Sequence, residues 1–100
     1  RNYYDGVFQS LLRLREKNAF NYITHGDLYA SNFMIQNNPE ELIIVDWVQA
    51  YIGHPLIDFW TFLYSTNFSE DKFEVPDKLK LGLDSASIND LWLVWRTAFK

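Results

Sequence analysis

Asp27, Asn32 and Asp46 are the residues of this 100-residue chain best suited to chemistry. Asp27 and Asn32 fall in the run His25-Gly26-Asp27-Leu28-Tyr29-Ala30-Ser31-Asn32, and Asp46 follows Leu42-Ile43-Ile44-Val45 and precedes Trp47. Each offers a side-chain oxygen. One could receive a proton, and the other two could hold a hard divalent cation. That is the minimal equipment for moving a phosphoryl group from a nucleotide onto a hydroxyl. Oxygen-only ligation suits Mg²⁺ or Mn²⁺ rather than zinc. Mg²⁺ is commonly held by one or two carboxylates, with waters and substrate phosphates completing its shell. Asn32 and Asp46 fit that description. Asp27 sits before Asn32 across a turn that starts at Gly26, where it would accept or orient the proton of an attacking hydroxyl.

These side chains need elements that bring them together. Phe33-Met34-Ile35-Gln36 and Leu42-Ile43-Ile44-Val45 are short runs rich in apolar and β-branched residues, the signature of strands. Asn37-Asn38-Pro39-Glu40-Glu41 between them is a turn cluster. The pattern predicts an antiparallel hairpin. Pairing symmetric about Pro39 would set Met34 opposite Ile44, Phe33 opposite Val45, and Asn32 opposite Asp46. Directly opposed side chains lie about 5 Å apart at Cβ, close enough to share a cation. A slip of one residue would turn one of the two to the other face.

The run from His25 to Asn32 resembles the catalytic loop, H-G-D-x-x-x-x-N, of the aminoglycoside phosphotransferase and choline kinase-like superfamily. Ile44-Val45-Asp46-Trp47 is similar to that superfamily's metal-binding I-D-W or I-D-F element. Gly53-His54-Pro55-Leu56-Ile57-Asp58-Phe59 resembles its G-x-P-x-x-D segment, and the stretch on to Ser65 looks like the choline kinase-like and ecdysteroid kinase-like branch. The resemblance implies ATP as co-substrate, Asp27 as catalytic base, and Asn32 and Asp46 as ligands of the Mg²⁺ (or Mn²⁺) that accompanies the nucleotide. It also implies Asp58 as a buried carboxylate bracing the catalytic loop, and His25 as a structural loop residue. His54 receives no catalytic role.

The implied fold is α/β in the broad sense (α+β): a protein-kinase-like C-lobe fragment, mostly helical, with one catalytic hairpin. Residues 25–32 would be the catalytic loop, 33–47 the metal-binding hairpin and 55–100 a helical remainder. A complete small-molecule kinase also needs a Gly-rich loop over the phosphates and a strand lysine. The four glycines, Gly6, Gly26, Gly53 and Gly82, are far apart, and no lysine lies in a strand-like run before His25. The chain begins at Arg1. The expectation is an internal piece that lacks its N-lobe and is inactive in isolation. Its partners would be ATP, a small-molecule hydroxyl substrate and the missing lobe of the same polypeptide. The acceptor is open among amino alcohols, sterols, antibiotics and sugars.

Composition narrows the alternatives. The formal net charge is −4 and the nine basic residues are scattered, without the basic stripe of a nucleic-acid binder. The absence of cysteine removes disulfides and thiolate sites and is compatible with a reducing, cytoplasmic setting. No apolar stretch is long enough to span a bilayer. Two other functions compete. One is a catalytically dead kinase-like binding or scaffold module. The other is a metal-dependent hydrolase built on His25, Asp27, Asp46 and His54. Each site residue also has a plain reading. Asp27 and Asn32 could be turn or cap residues, Asp46 a strand terminator, and Asp58 a residue favoured by the dipole at a helix N-terminus.

The rest of the chain supplies helices. Residues 2–18 show a stripe of Tyr4, Val7, Phe8, Leu11, Leu12 and Arg15, with Leu14 off it and Asn18 as the stop. Residues 20–24 make an extended approach to the loop, and 50–54 a connecting loop. Pro55 can open a helix that runs apolar from 56 to 65. Residues 67–87 are expected to be a long connection with a helical turn near 77–81. Ser87-Ile88-Asn89-Asp90 resembles a capping arrangement that starts an aromatic-rich helix through Leu91, Trp92, Val94, Trp95, Ala98 and Phe99.

Overall fold

The structure, a computed structural model, describes residues 3–66 and 74–99, and the side chains of all of these except Tyr3, Tyr4 and Phe99. It is a mixed α+β arrangement in the order α1 (Tyr3–Glu16), β1 (Tyr22–Thr24), a 3₁₀ turn (Ala30–Asn32), β2 (Phe33–Asn37), β3 (Glu40–Ile44), β4 (Tyr51–Gly53), α2 (Pro55–Ser65), α3 (Asp77–Lys80) and α4 (Ser85–Phe99). Residues 67–73 of the expected connection lie outside the described residues, as does the side chain of Tyr4 from the expected stripe.

Helix α1 stops where the sequence says it should. Asn18 adopts the left-handed conformation (φ 57°). Ala19 N–H then bonds Leu14 O and Asn18 N–H bonds Arg15 O, the paired bonds of a Schellman cap. The cap packs Ala19 beside Leu14, and both are buried. The buried face of α1 differs from the expected stripe. Leu14 is 0% exposed and Ser10 is buried, whereas Phe8 is 58% exposed. The apolar residues spread over about half of the circumference of this helix, too wide an arc for their period alone to choose the buried face. The choice is made by α4, whose buried Asp90 accepts from Ser10 Oγ at 3.0 Å and from Arg13 Nε and Nη2 at 2.9 and 2.8 Å. The Arg13 hydrogen bonds hold the Asp90 carboxyl below its ordinary pKa, against the opposing effect of burial.

Helix α4 begins earlier than expected. Asp84 Oδ1 accepts from Ser87 N–H at 2.8 Å and caps it, so Ser87 lies inside the helix. Asp90 is therefore the ion-pair partner of α1 rather than part of a cap. Its Leu91 and Trp95 join Leu14, Leu56, Ile57 and Trp60 in the core. Trp95 Nε1–H donates to Thr61 Oγ1 at 3.0 Å, and that hydroxyl donates to Ile57 O. The indole is thereby satisfied inside the core. Helix α3 is the single turn expected near 77–81, ended by left-handed Leu81 and Gly82. None of the described helices is long and apolar enough to cross a membrane.

Two antiparallel strand pairs carry the rest. β1 pairs with β4, Ile23 opposite Ile52, so residues 51–53, expected as loop, form a strand. The second pair is the expected hairpin β2–β3, in a different register. Phe33 lies opposite Ile44, Met34 opposite Ile43 and Asn37 opposite Glu40. The turn is centred between Asn38 and Pro39, which are joined by a cis peptide bond. The expected rung of Asn32 opposite Asp46 does not form. The hairpin stands largely exposed and is fixed at its base by an edge-to-face contact of Phe33 with Phe62 of α2, at 5.0 Å between centroids.

His54, the residue before Pro55, caps α2. Its Nδ1 accepts from Leu56 N–H at 3.1 Å, and its ring is fully buried with an edge toward Tyr22. Nε2 has no hydrogen-bond partner among the described residues. Burial pushes the imidazole pKa below its ordinary 6.5, and the backbone of Lys80 opposes this in part.

Two stability predictions follow from these contacts. Leu14→Ala should cost about 3 kcal/mol and Phe8→Ala less than about 1 kcal/mol, read from urea unfolding; the reverse order would restore the stripe through Phe8. Because folding favours the neutral His54 ring, its contribution is complete above the ordinary pKa. It is lost as pH falls through the depressed folded value. The melting temperature should therefore drop more steeply between about pH 7.5 and about pH 5 in the wild type than in His54→Asn, which keeps a cap acceptor without titrating.

Candidate active site

The loop after β1 is built around two acceptors, the half-buried Asp58 and the buried His25. Asp58 lies in the first turn of α2, and its Oδ2 accepts from His25 N–H at 2.8 Å while Oδ1 accepts from Gly26 N–H at 3.1 Å. One carboxylate thus satisfies two successive loop amides that no strand partner reaches, at a helix end whose dipole favours its negative charge. The bracing role and the dipole role expected for Asp58 coexist. Nearby, burial and the Asp58 charge raise the Tyr51 phenol above its ordinary pKa.

His25 is the second anchor. Its ring is buried. Nδ1 accepts from Asp27 N–H at 3.1 Å, and Nε2 lies 2.8 Å from Val45 O. Those partners require the tautomer with its proton on Nε2. The ring packs against Trp47 at 4.6 Å between centroids, and the indole Nε1–H donates to Ile44 O at 2.8 Å. The imidazole therefore ties the loop after β1 to the end of β3, as a structural residue. Gly26 makes the turn between the anchors. Its φ is +88°, and a Cβ there would come within 2.5 Å of the Gln49 carbonyl oxygen.

The loop positions Asn32 by both of its ends. Ala30, Ser31 and Asn32 form the 3₁₀ turn, with Asn32 N–H bonded to Tyr29 O at 2.9 Å. Ala30 N–H donates to Ser65 Oγ at 2.9 Å. The Asn32 side chain donates through Nδ2 to Asp27 O at 2.7 Å. This fixes the amide plane and leaves Oδ1 free to accept. Its own carbonyl accepts from Val45 N–H at 2.9 Å, so Val45 stands on the rung that Asp46 was expected to occupy. Asp46 follows in the left-handed conformation (φ 62°) with its side chain exposed. Aspartate tolerates this conformation better than most residues, and it ends the extended run.

Asp27, Asn32 and Val45-Asp46 are thus stitched together by their backbones and by the Asn32 amide. Among the described residues, none donates a hydrogen bond to the carboxylate of Asp27 or Asp46. A free amide oxygen and an exposed carboxylate are the hard donors that suit Mg²⁺. No group of three or more His, Cys, Asp or Glu that could hold a metal occurs among the described residues. The donor set fits a cation shared with phosphate rather than one caged by protein. The hydrolase reading loses its ligands: His25 spends both ring nitrogens on the backbone, and His54 is buried with Nδ1 capping α2. Sequence reasoning missed Ser65. The available signal was its seven-residue spacing from Asp58, which places both on one face of a helix.

Asp58→Asn leaves one acceptor where two amides need partners. Exchange of the His25 and Gly26 amides with solvent deuterium should accelerate by roughly 10- to 100-fold, the worth of a hydrogen bond to a charged group. Unchanged protection of both amides would remove Asp58 from this role.

A comparison with known proteins agrees with this architecture. The model of the ecdysteroid kinase-like family matches residues 1–79. No curated protein and no solved structure matches the chain. The matched span takes in the loop of residues 25–32, both strand pairs and all of α2, well over half of the sequence, and the chain belongs to the ecdysteroid kinase-like family within the kinase-like superfamily.

Proposed function

We propose that the chain carries the catalytic loop and the metal-binding residues of an ATP-dependent kinase that phosphorylates a hydroxyl of a small molecule. The observation that carries this reading is the Asn32 amide, locked by its bond to Asp27 O so that its free oxygen faces no competing donor. Asp27 is the general base, and Asn32 and Asp46 are the protein ligands of Mg²⁺. The membership in a kinase-like family supports the same assignment.

Each residue has a definable task. The acceptor hydroxyl gives its proton to Asp27 as its oxygen bonds to the γ-phosphorus of ATP. The bond from that phosphorus to the β–γ bridging oxygen breaks, and ADP leaves. When bound, Mg²⁺ supplies neutralisation of the charge spread over the phosphate oxygens. Asp58 and His25 hold the loop that carries Asp27, so that the base meets its proton in a fixed position. Met34 and Ile43 lie opposite each other on the hairpin, 55% and 37% exposed. By strand alternation they share the hairpin face opposite to that of Phe33, which suits them to be the apolar floor of the nucleotide base. The Gly-rich loop and strand lysine that would cover the phosphates are not among these 100 residues. A nucleotide-binding lobe elsewhere in the polypeptide would provide them, and these residues alone are inactive in this reading.

The site residues separate by kinetics. In the intact protein, Asp27→Asn should lower kcat by about 10²- to 10⁴-fold and leave ATP affinity within about twofold. Asp46→Ala should also weaken Mg²⁺-dependent nucleotide binding, by about tenfold or more. Turnover that survives Asp27→Asn unchanged would remove the base role from Asp27, whereas an intact protein that binds ATP without any turnover would transfer the reading to a catalytically dead binding module.

A further inference from the structure

Ser65, the last residue of α2, makes a contact with the catalytic loop that none of the roles above uses. Its hydroxyl donates to Phe62 O at 2.7 Å and accepts from Ala30 N–H at 2.9 Å. The donated bond fixes the direction of the hydroxyl and so aims its lone pair. Ala30 opens the 3₁₀ turn whose last residue is Asn32. A turn this short leaves its first N–H without an internal partner, and no side chain of the turn's own N-cap residue, Tyr29, supplies one.

Asp58 and Ser65 are seven residues apart on α2, about 10.5 Å along its axis at 1.5 Å per residue and nearly in line around it. Asp58 takes the Gly26 amide and Ser65 the Ala30 amide. The helix therefore acts as a splint along residues 26–30, holding the loop at both ends. The Asp58 end fixes the start of the loop, next to Asp27. The Ser65 end fixes the turn that sets the height of Asn32 relative to Val45 and Asp46.

We propose that Ser65 is a positioning residue for the metal site, acting through Ala30 on the placement of Asn32. The proposal rests on the metal-binding role given above to Asn32 and Asp46. Loss of the Ser65 hydroxyl leaves the Ala30 N–H without its acceptor and frees the turn to shift. The amide oxygen of Asn32 then no longer sits at a fixed distance from the Asp46 carboxylate. Threonine keeps a hydroxyl that can bond a carbonyl one turn back in a helix, so it should preserve the splint.

The test is a titration of the full chain with Mn²⁺ alone, followed by paramagnetic broadening of the Asn32 side-chain amide resonance. In Ser65→Ala, the Mn²⁺ concentration that halves the signal should rise about fivefold, the effect expected of one lost hydrogen bond. In Ser65→Thr it should stay within about twofold of the wild type. A purely structural role for Ser65 would lower the melting temperature of Ser65→Ala without moving this titration, and that result overturns the proposal. Asp46→Ala is the control on the underlying reading. If it abolishes the broadening while Ser65→Ala leaves it unchanged, the metal site stands and the role of Ser65 falls. If the wild type shows no broadening, or Asp46→Ala leaves it intact, the metal site falls and Ser65 with it.

Discussion

The Asp58 carboxylate, shared between the amides of His25 and Gly26, is the interaction on which the site depends. Buried backbone N–H groups must find acceptors, and a loop that leaves a sheet has no ladder to provide them. A carboxylate with two oxygens can serve two adjacent amides at once. The cost of its partial burial is offset by those two bonds and by its position in the first turn of α2. The arrangement explains why α2 is apolar nearly throughout yet carries Asp58 at its start. The helix is buried through Leu56, Ile57 and Trp60, which cluster with Leu14, Leu91 and Trp95, and its one charge meets the two loop amides.

From that fixed point the rest of the site is assembled by short-range constraints. Gly26 turns the chain through a conformation that a Cβ would block against Gln49 O. His25 then reaches across to Val45 O, with its other nitrogen holding Asp27 N–H. Trp47 covers the imidazole and returns a bond to Ile44 O. None of these groups performs a reaction in the proposed mechanism. They make the positions of Asp27 and Asn32 consequences of the backbone, which is what a catalyst that works by positioning and charge requires.

The parts of this design legible in the sequence are the local ones. The loop residues, the hairpin, the proline at the start of α2 and the stop at Asn18 each depend on neighbours within a few residues. What escaped the sequence depends on partners far along the chain. Phe8 and Leu14 are equally apolar, and only Asp90, pairing with Ser10 and Arg13 from another helix, decides which side of α1 is buried. Residues 51–53 are too few to announce a strand, and become one because β1 lies beside them. Asp90 resembled a helix cap because its ion pair with Arg13 lies on an element 77 residues away.

The hairpin register is the instructive case, because by the rung count a slip of one residue would separate the two ligands of the proposed metal site. With Asn32 on the Val45 rung, strict alternation would send the Asp46 side chain to the opposite face. Alternation holds only while the backbone stays extended. β3 ends at Ile44, and Asp46 sits at φ 62°, so the direction of its side chain is set by a left-handed turn and not by the ladder. A residue type that tolerates this conformation and also carries a hard oxygen donor is a short list, headed by Asp and Asn. The same feature that defeats the simple rung count therefore gives an independent reason for an aspartate at this position. The ladder delivers the chain to the site, and the turn after it presents the carboxylate.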